Sequence, residues 1–438
     1  MLSEDRLYWI WLADRCGIAS KEFAKLIARF ENPFEIFRLE PEEIDTIKYI
    51  NQKLKDRLSQ KSLEHAYSIL KYCKESNIDI ITYADERYPS RLKSLEDPPV
   101  LLYCIGNMPS LDKKLCIGVV GTRKISEYGR QSAYKISYEL ASAGACIVSG
   151  MALGVDAVAA CAAIEAGGTT IAVLGCGVDV VYPKQHTKLR YEICKHGCVL
   201  SEYPPAESPY GSNFPKRNRI ISGLSQGVLV IEGNRQSGAM ITADKAISQG
   251  REVFALPGKI NESNSDGPNE LIQKGVNVAL SADDIIYHFD FLYHDTIDFR
   301  GLHFGKSRSD FSQKALTSRG VALELCSGNA EAVSLPQAEE EKPMPARNTK
   351  WESPYDEQST VADVSEEKNR GSDNSSAVLD SLDAITRKVF DAIPLDKAIS
   401  PDEFVSLGIS IAEAVTSLTV LEIMGLVSSL PGGTYIRK

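Results

Sequence analysis

Nowhere in its 438 residues does the chain stay apolar for the roughly 20 positions that a membrane-spanning helix needs. Its start, Met1-Leu2-Ser3-Glu4-Asp5-Arg6, mixes charges of both signs instead of leading from basic residues into an apolar stretch. No export signal is therefore expected, and the protein is assigned to the cytoplasm. In that compartment the 10 cysteines are expected as reduced thiols, not as a disulfide framework. Positive charge is in short supply as well: 49 Lys and Arg face 59 Asp and Glu, a formal net charge of −10. Such a balance argues against a surface coated in cations for nucleic acid.

Catalytic and cofactor motifs are missing too. There is no Walker lysine loop, no His-Glu-x-x-His pair and no Gly-x-Ser-x-Gly elbow. The first glycine loop, Gly118-Val119-Val120-Gly121-Thr122-Arg123, fails the spacing of the dinucleotide fingerprint, and Gly175-Cys176-Gly177 has Val180 where a third glycine would stand. Cys194-Lys195-His196-Gly197-Cys198 lacks partner ligands and reads as two thiols flanking a helix end. No cofactor and no metal are expected.

What is present is a 43% hydrophobic fraction, enough for a sizeable core, on a chain long enough for two to four domains. Residues 1–78 carry helical spacing, as at Leu7, Ile10 and Trp11, and the segment Cys16-Gly17-Ile18-Ala19-Ser20 looks like a worn helix-hairpin-helix. These residues are expected to form an all-helical domain of the SAM or helix-hairpin-helix kind. Residues 79–290 change rhythm. Short apolar runs (Leu115–Val120, Cys146–Val148, Thr170–Leu174, Val199–Leu200, Val228–Ile231, Val253–Leu256, Val276–Leu280) alternate with helix-length segments. That is the pattern of a parallel sheet covered on both faces, so the expected fold is α/β, a Rossmann-like doubly wound parallel sheet. Residues 291–380 read as an acidic disordered linker: between Glu331 and Asp373 there are 11 acidic and 5 basic side chains. Residues 381–438 show three short helices and a hairpin around Pro431-Gly432-Gly433, the order of a winged helix. The helix expected over Ile411–Met424 contains Glu413 and Glu422 but no Lys or Arg, so the winged helix is expected to bind protein, or to dock internally, and not to read duplex DNA.

In an open α/β sheet, ligands bind beyond the carboxyl ends of the strands, and the loops expected there gather cations. Gly121-Thr122-Arg123 opens a helix, Gly150 starts a tight turn, and Lys184 follows Tyr182-Pro183. Asn213-Phe214-Pro215-Lys216-Arg217-Asn218-Arg219 packs three cations and an aromatic into seven residues, and Ser237-Gly238 offers backbone amides at another helix start. Residues 116–280 carry 16 basic and 14 acidic side chains, so positive charge in this region is local. Phe214 can stack on a base or plug the loop into the core, and the sequence leaves both open.

Several stretches resemble the DprA/Smf family of bacterial DNA-processing proteins. They include Ser149-Gly150-Met151-Ala152-Leu153-Gly154-Val155-Asp156, Ser201-Glu202-Tyr203-Pro204-Pro205, Phe214-Pro215-Lys216-Arg217-Asn218-Arg219-Ile220-Ile221-Ser222-Gly223, Ser237-Gly238-Ala239-Met240-Ile241-Thr242-Ala243, and Gly267-Pro268-Asn269-Glu270-Leu271-Ile272. The resemblance implies a non-catalytic mediator that binds and protects incoming single-stranded DNA in natural transformation. It also implies a homodimer that loads the recombinase RecA. Backbone contacts carry over to Arg123, Lys184, Arg217 and Arg219. The alternative is a nucleotide-binding hydrolase of related architecture. The helix after Gly238 supplies Thr242 and Asp244 but no Glu to act as base.

Overall fold

The alternating apolar runs are realised in the computed structural model as one nine-stranded sheet, crossed by helices on both faces. The structure describes residues 3–293 and 295–297, then 384–394 and short pieces between 399 and 437. These fall into two units, Met1–Ser359 and Thr360–Lys438.

The first unit opens with six helices: α1 (Ser3–Cys16), α2 (Lys21–Phe30), α3 (Pro33–Arg38), α4 (Pro41–Asp45), α5 (Gln52–Leu58) and α6 (Glu64–Glu75). The strands and helices that follow are β1 (Asp79–Thr82), α7 (Ser90–Lys93), β2 (Leu101–Gly106), β3 (Cys116–Val120), α8 (Glu127–Ser142), β4 (Cys146–Ser149), α9 (Val155–Glu165) and β5 (Thr169–Leu174). After them come α10 (Thr187–His196), β6 (Gly197–Ser201), α11 (Asn213–Leu224), β7 (Gly227–Val230), α12 (Gly238–Ser248), β8 (Glu252–Ala255), α13 (Asp266–Gln273), β9 (Asn277–Val278) and α14 (Ala282–Tyr293). Strand order is β1-β2-β6-β5-β4-β3-β7-β8-β9. From β6 to β9 all neighbours run parallel, while β2 is antiparallel to β6 and β1 to β2.

Strands β4 to β6 are laid down on one side of β3, and β7 to β9 on the other. The crevice of a doubly wound sheet opens at such a reversal. Strand residues alternate between two packed faces, which is why the runs read as continuously apolar. Ile117, Val119, Ile147 and Leu229 pack with residues of α8, α9 and α14, while Cys116, Val120, Val148 and Val230 pack with residues of α11 and α12.

The N-terminal helices do not close a core of their own. Trp9, Ile10, Phe23 and Ile69 belong to one cluster with Ile80, Leu101 and Tyr103 of the sheet and with Ala160 of α9, so they share a core across position 78. The hairpin between α1 and α2 has both its turn residues in the left-handed region, Gly17 at φ 79° and Ala19 at φ 58°. Ala19 thus takes the conformation that a second glycine would adopt. Its amide donates to Glu202 Oε1 at 3.4 Å, toward the inside of the protein. At the other end, α14 runs three residues past position 290, and the Tyr293 hydroxyl pairs with the Gln226 side chain.

Every cysteine among the described residues is a free thiol. Cys194 donates to the Ile105 carbonyl at 3.5 Å, and Cys198 lies 3.6 Å from the Met108 sulfur. No helix among the described residues is long and apolar enough to cross a membrane.

In the second unit, α15 (Ala384–Ala392) packs Val389 and Phe390 with Phe404, Leu418, Leu421 and Val427. Strands β10 (Val427–Leu430) and β11 (Thr434–Arg437) pair antiparallel, and Ile399 bridges to Tyr435. Most of the helix expected over Ile411–Met424 lies outside the described residues, as does most of the acidic stretch over 291–380.

Candidate nucleic-acid interface

The candidate residues converge, in part, on a pocket at the carboxyl ends of β3, β4 and β5. It encloses about 400 Å³ including its solvent-open part, and Arg123, Gly150, Met151, Gly175, Tyr182, Phe214 and Arg217 are among its walls. At its centre stands the half-buried ring of Phe214. The Arg123 guanidinium lies 5.6 Å from the ring centroid and that of Arg217 5.7 Å, both within cation–π range. Tyr182 tilts against the same ring at 5.5 Å. A Cβ on Gly175 would come within 3.1 Å of Phe214 Cδ1, so glycine there lets the ring approach the end of β5. Phe214 is therefore neither sunk in the core nor free in solvent: it packs against Tyr182 and the end of β5 and also lines the pocket.

The segment that carries it is not a loop. Asn213 to Arg219 form the first turns of α11, with Pro215 in the opening turn, where its missing N–H costs no helical hydrogen bond. Helical geometry then splits the three cations. Arg217 is only 5% exposed, and its Nη1 donates to the Gly150 carbonyl at 2.9 Å and to the Val173 carbonyl. A Cβ on Gly150 would sit 2.6 Å from that Nη1 and 2.7 Å from Cζ, which is why the position takes glycine. Burial pulls the Arg217 guanidinium below its usual value, and neighbouring Asp156 acts in the opposite direction.

Arg219, expected at the phosphate edge, is a correction. It is 2% exposed and turned inward, with Nη2 2.6 Å from Glu202 Oε2 and Nε 3.4 Å from Asp97. The run Lys216-Arg217-Asn218-Arg219 shows three cations but not their directions, and residues two apart on a helix point about 200° apart. Lys216 is half-buried on the same turn.

Arg123 is exposed at the pocket rim, and the residues before it act as its mount. The Thr122 amide donates to the Glu232 carbonyl at 2.8 Å, and the Thr122 carbonyl accepts from Val155 at 3.3 Å. Gly121 is pressed against Val155, leaving no room for a side chain. Gly121 and Thr122 therefore fix the loop to α9 and to the segment after β7. Lys184 is exposed on a one-turn 3-10 helix, Lys184–His186, directly after the cis Tyr182–Pro183 peptide. His186 beside it is buried, its Nδ1 3.0 Å from the Met151 carbonyl, and burial lowers its pKa.

Ser237 and Gly238 are not among the pocket's walls. They start α12, and the Gly238 carbonyl accepts from Asn218 at 3.3 Å and from Thr242 at 3.1 Å. Two carboxylates were missed from the sequence. Asp156 is 6% exposed and accepts from the Gly150 amide at 2.9 Å; burial raises its pKa, with Arg217 opposing. Glu232 is buried beneath the start of α8. Each follows a glycine-rich turn or precedes one, and that adjacency was the available signal. Among the described residues no group of His, Cys, Asp and Glu is arranged to hold a metal.

Fold and edge together define a doubly wound α/β protein with a cationic, aromatic-lined pocket at the carboxyl end of its parallel sheet. Residues 79–290 match the family described as DNA recombination-mediator protein A. The chain is 43% identical over 217 residues to DNA processing protein DprA of Bacillus subtilis, covering 50% of this chain and 73% of the relative. It is 30% identical over 443 residues to protein Smf of Synechocystis, covering both chains in full. An X-ray structure of DNA processing protein A from Streptococcus pneumoniae superposes with a TM-score of 0.57 at 36% identity, over 64% of this chain and 97% of the other. The chain belongs to the DNA processing protein A (DprA/Smf) family of DNA recombination mediators.

Proposed function

We propose that this protein acts as a non-catalytic mediator that binds single-stranded DNA across the pocket edge, with phosphates at Arg123 and Lys184 and a base against Phe214. One observation carries the reading: a half-buried aromatic flanked by two guanidiniums, one of them exposed, at the ligand end of the sheet. Aromatic faces accept any base, and exposed cations track a backbone without reading sequence. Arg217 serves as a buried support and a source of positive potential, because it is already bound to two carbonyls. Family membership supports the wider role: a cytoplasmic homodimer that protects incoming DNA in natural transformation and passes it to RecA. A winged helix at the C-terminus fits the hairpin and the Ile399 bridge, and a stretch Ile411–Met424 without Lys or Arg suits protein docking better than duplex DNA.

The hydrolase alternative gains little from the nearby carboxylates. Asp156 and Glu232 both accept hydrogen bonds from backbone amides, and neither is a wall of the pocket. Gel-shift titration of a labelled single strand with wild type and Arg123→Glu tests the reading. Loss of the shift in a folded variant is expected, and an unchanged shift rejects the site. Release of base or phosphate from nucleotides by pure protein would favour the enzyme instead.

A further inference from the structure

The start of α8 already holds an anion, and it comes from the chain itself. Ser126 caps the helix, its Oγ accepting from the Gly129 amide at 3.0 Å. Beyond the cap, Glu232 Oε2 accepts from the Ser126 amide at 2.9 Å, and Oε1 accepts from the Ser126 hydroxyl. Glu232 is 2% exposed, and among the described residues no Lys or Arg forms an ion pair with it. Its charge is met by donors at a helix N-terminus, where the backbone dipoles favour an anion. Glycine makes the space: a Cβ on Gly129 would lie 2.6 and 2.7 Å from the two carboxylate oxygens.

This corner has a general meaning in doubly wound folds. It is the helix start after the first parallel strand, at the reversal of strand order, where a dinucleotide's pyrophosphate is seated with glycine allowing close approach. Here β3 is that strand, α8 that helix, and Glu232 reaches in from the far side of the reversal, after β7. We propose that Glu232 is a specificity-determining residue: it fills the fold's phosphate position with a carboxylate of the chain and so closes the crevice to free nucleotide phosphates. Occupancy and like-charge repulsion act together, since an entering phosphate must displace a buried carboxylate or sit beside it. The inference concerns the crevice alone and stands whether or not the Arg123 edge binds DNA.

Two full-length variants test it. Glu232→Ala removes the anion while leaving the helix end and its glycines; Glu232→Gln removes the charge but keeps the position filled. Thermal unfolding is followed in inorganic phosphate, with chloride at equal ionic strength as control, and read as the difference from wild type so that phosphate bound elsewhere cancels. In chloride, Glu232→Ala is expected to melt below wild type. Phosphate should restore it, half-saturating at least about tenfold below any effect on wild type, because a ligand stabilises the state that binds it. Glu232→Gln should show no such recovery. A residue that only caps the helix would lower the melting temperature of both variants with no phosphate recovery in either, and that result overturns the proposal. So does a wild type that responds to phosphate as strongly as Glu232→Ala, or an alanine variant that phosphate never restores.

Discussion

Arg219 and Glu202 close a buried ion pair, Nη2 to Oε2 at 2.6 Å, two residues along α11 from the arginine that lines the pocket. Glu202 also receives the Ala19 amide, so one carboxylate links α11 to the N-terminal hairpin. Removing one partner strands a charge in the interior. Arg219→Ala should therefore lose about 3–5 kcal/mol of stability in urea unfolding, while the folded fraction keeps its affinity for single strands. An Arg219→Ala protein of normal stability that no longer bound DNA would return Arg219 to the interface.

Arg123 and Arg217 should part company in the same way. Glutamate at 217 would face the Gly150 and Val173 carbonyls, so Arg217→Glu should cost about 3 kcal/mol or more, seen as a lowered urea midpoint. Arg123→Glu, at an exposed position, should stay within about 0.5 kcal/mol of wild type and lose single-strand binding. Equal damage to stability from the two substitutions would contradict the assignment of roles.

Asp156 sets a pH dependence with a definite sign. Burial raises its carboxyl above the ordinary 3.8. The folded state therefore holds this proton to higher pH than the unfolded chain. Its contribution to stability is fully present below about 3.8 and is lost as pH rises through the raised value. Asp156→Asn, which can still accept from the Gly150 amide, removes that slope. Urea unfolding across the range should show the variant gaining on wild type as pH rises from about 4 to about 7. A difference independent of pH would rule the effect out.

Phe214→Ala should weaken single-strand binding by about 1–3 kcal/mol, and by a similar factor for thymine and adenine homopolymers. Fluorescence anisotropy gives both numbers. Phe214→Leu, which fills the packed side without a π-face, separates stacking from support: it should fold normally and still bind weakly. Full binding by the leucine variant would mean that no base stacks there.

Much of the sheet was legible. The apolar runs from Leu115 to Leu256 each became a strand within about two residues, because a strand buried on both faces needs apolar side chains at every position. The run Val276–Leu280 shrank to Asn277–Val278, whose two residues are both exposed at the sheet edge. The shared core of Phe23 with Tyr103 could not be read from helical spacing, which shows that a face is apolar but not what covers it. At the site, the glycines and Phe214 were visible as a motif, whereas the inward turn of Arg219 depended on where α11 begins. Glu232 stayed hidden because its partner Ser126 lies 106 residues away.

A salt titration of single-strand affinity reads the phosphate edge itself. Wild type and Arg123→Ala/Lys184→Ala are titrated with the same oligonucleotide, alongside its duplex. Wild type should bind the single strand more tightly than the duplex, with log affinity falling linearly with log salt at about −0.7 per phosphate neutralised. The double variant should be shallower by about 1.4, two contacts' worth. A wild-type affinity indifferent to salt, or a slope the double variant leaves unchanged, would contradict such an edge.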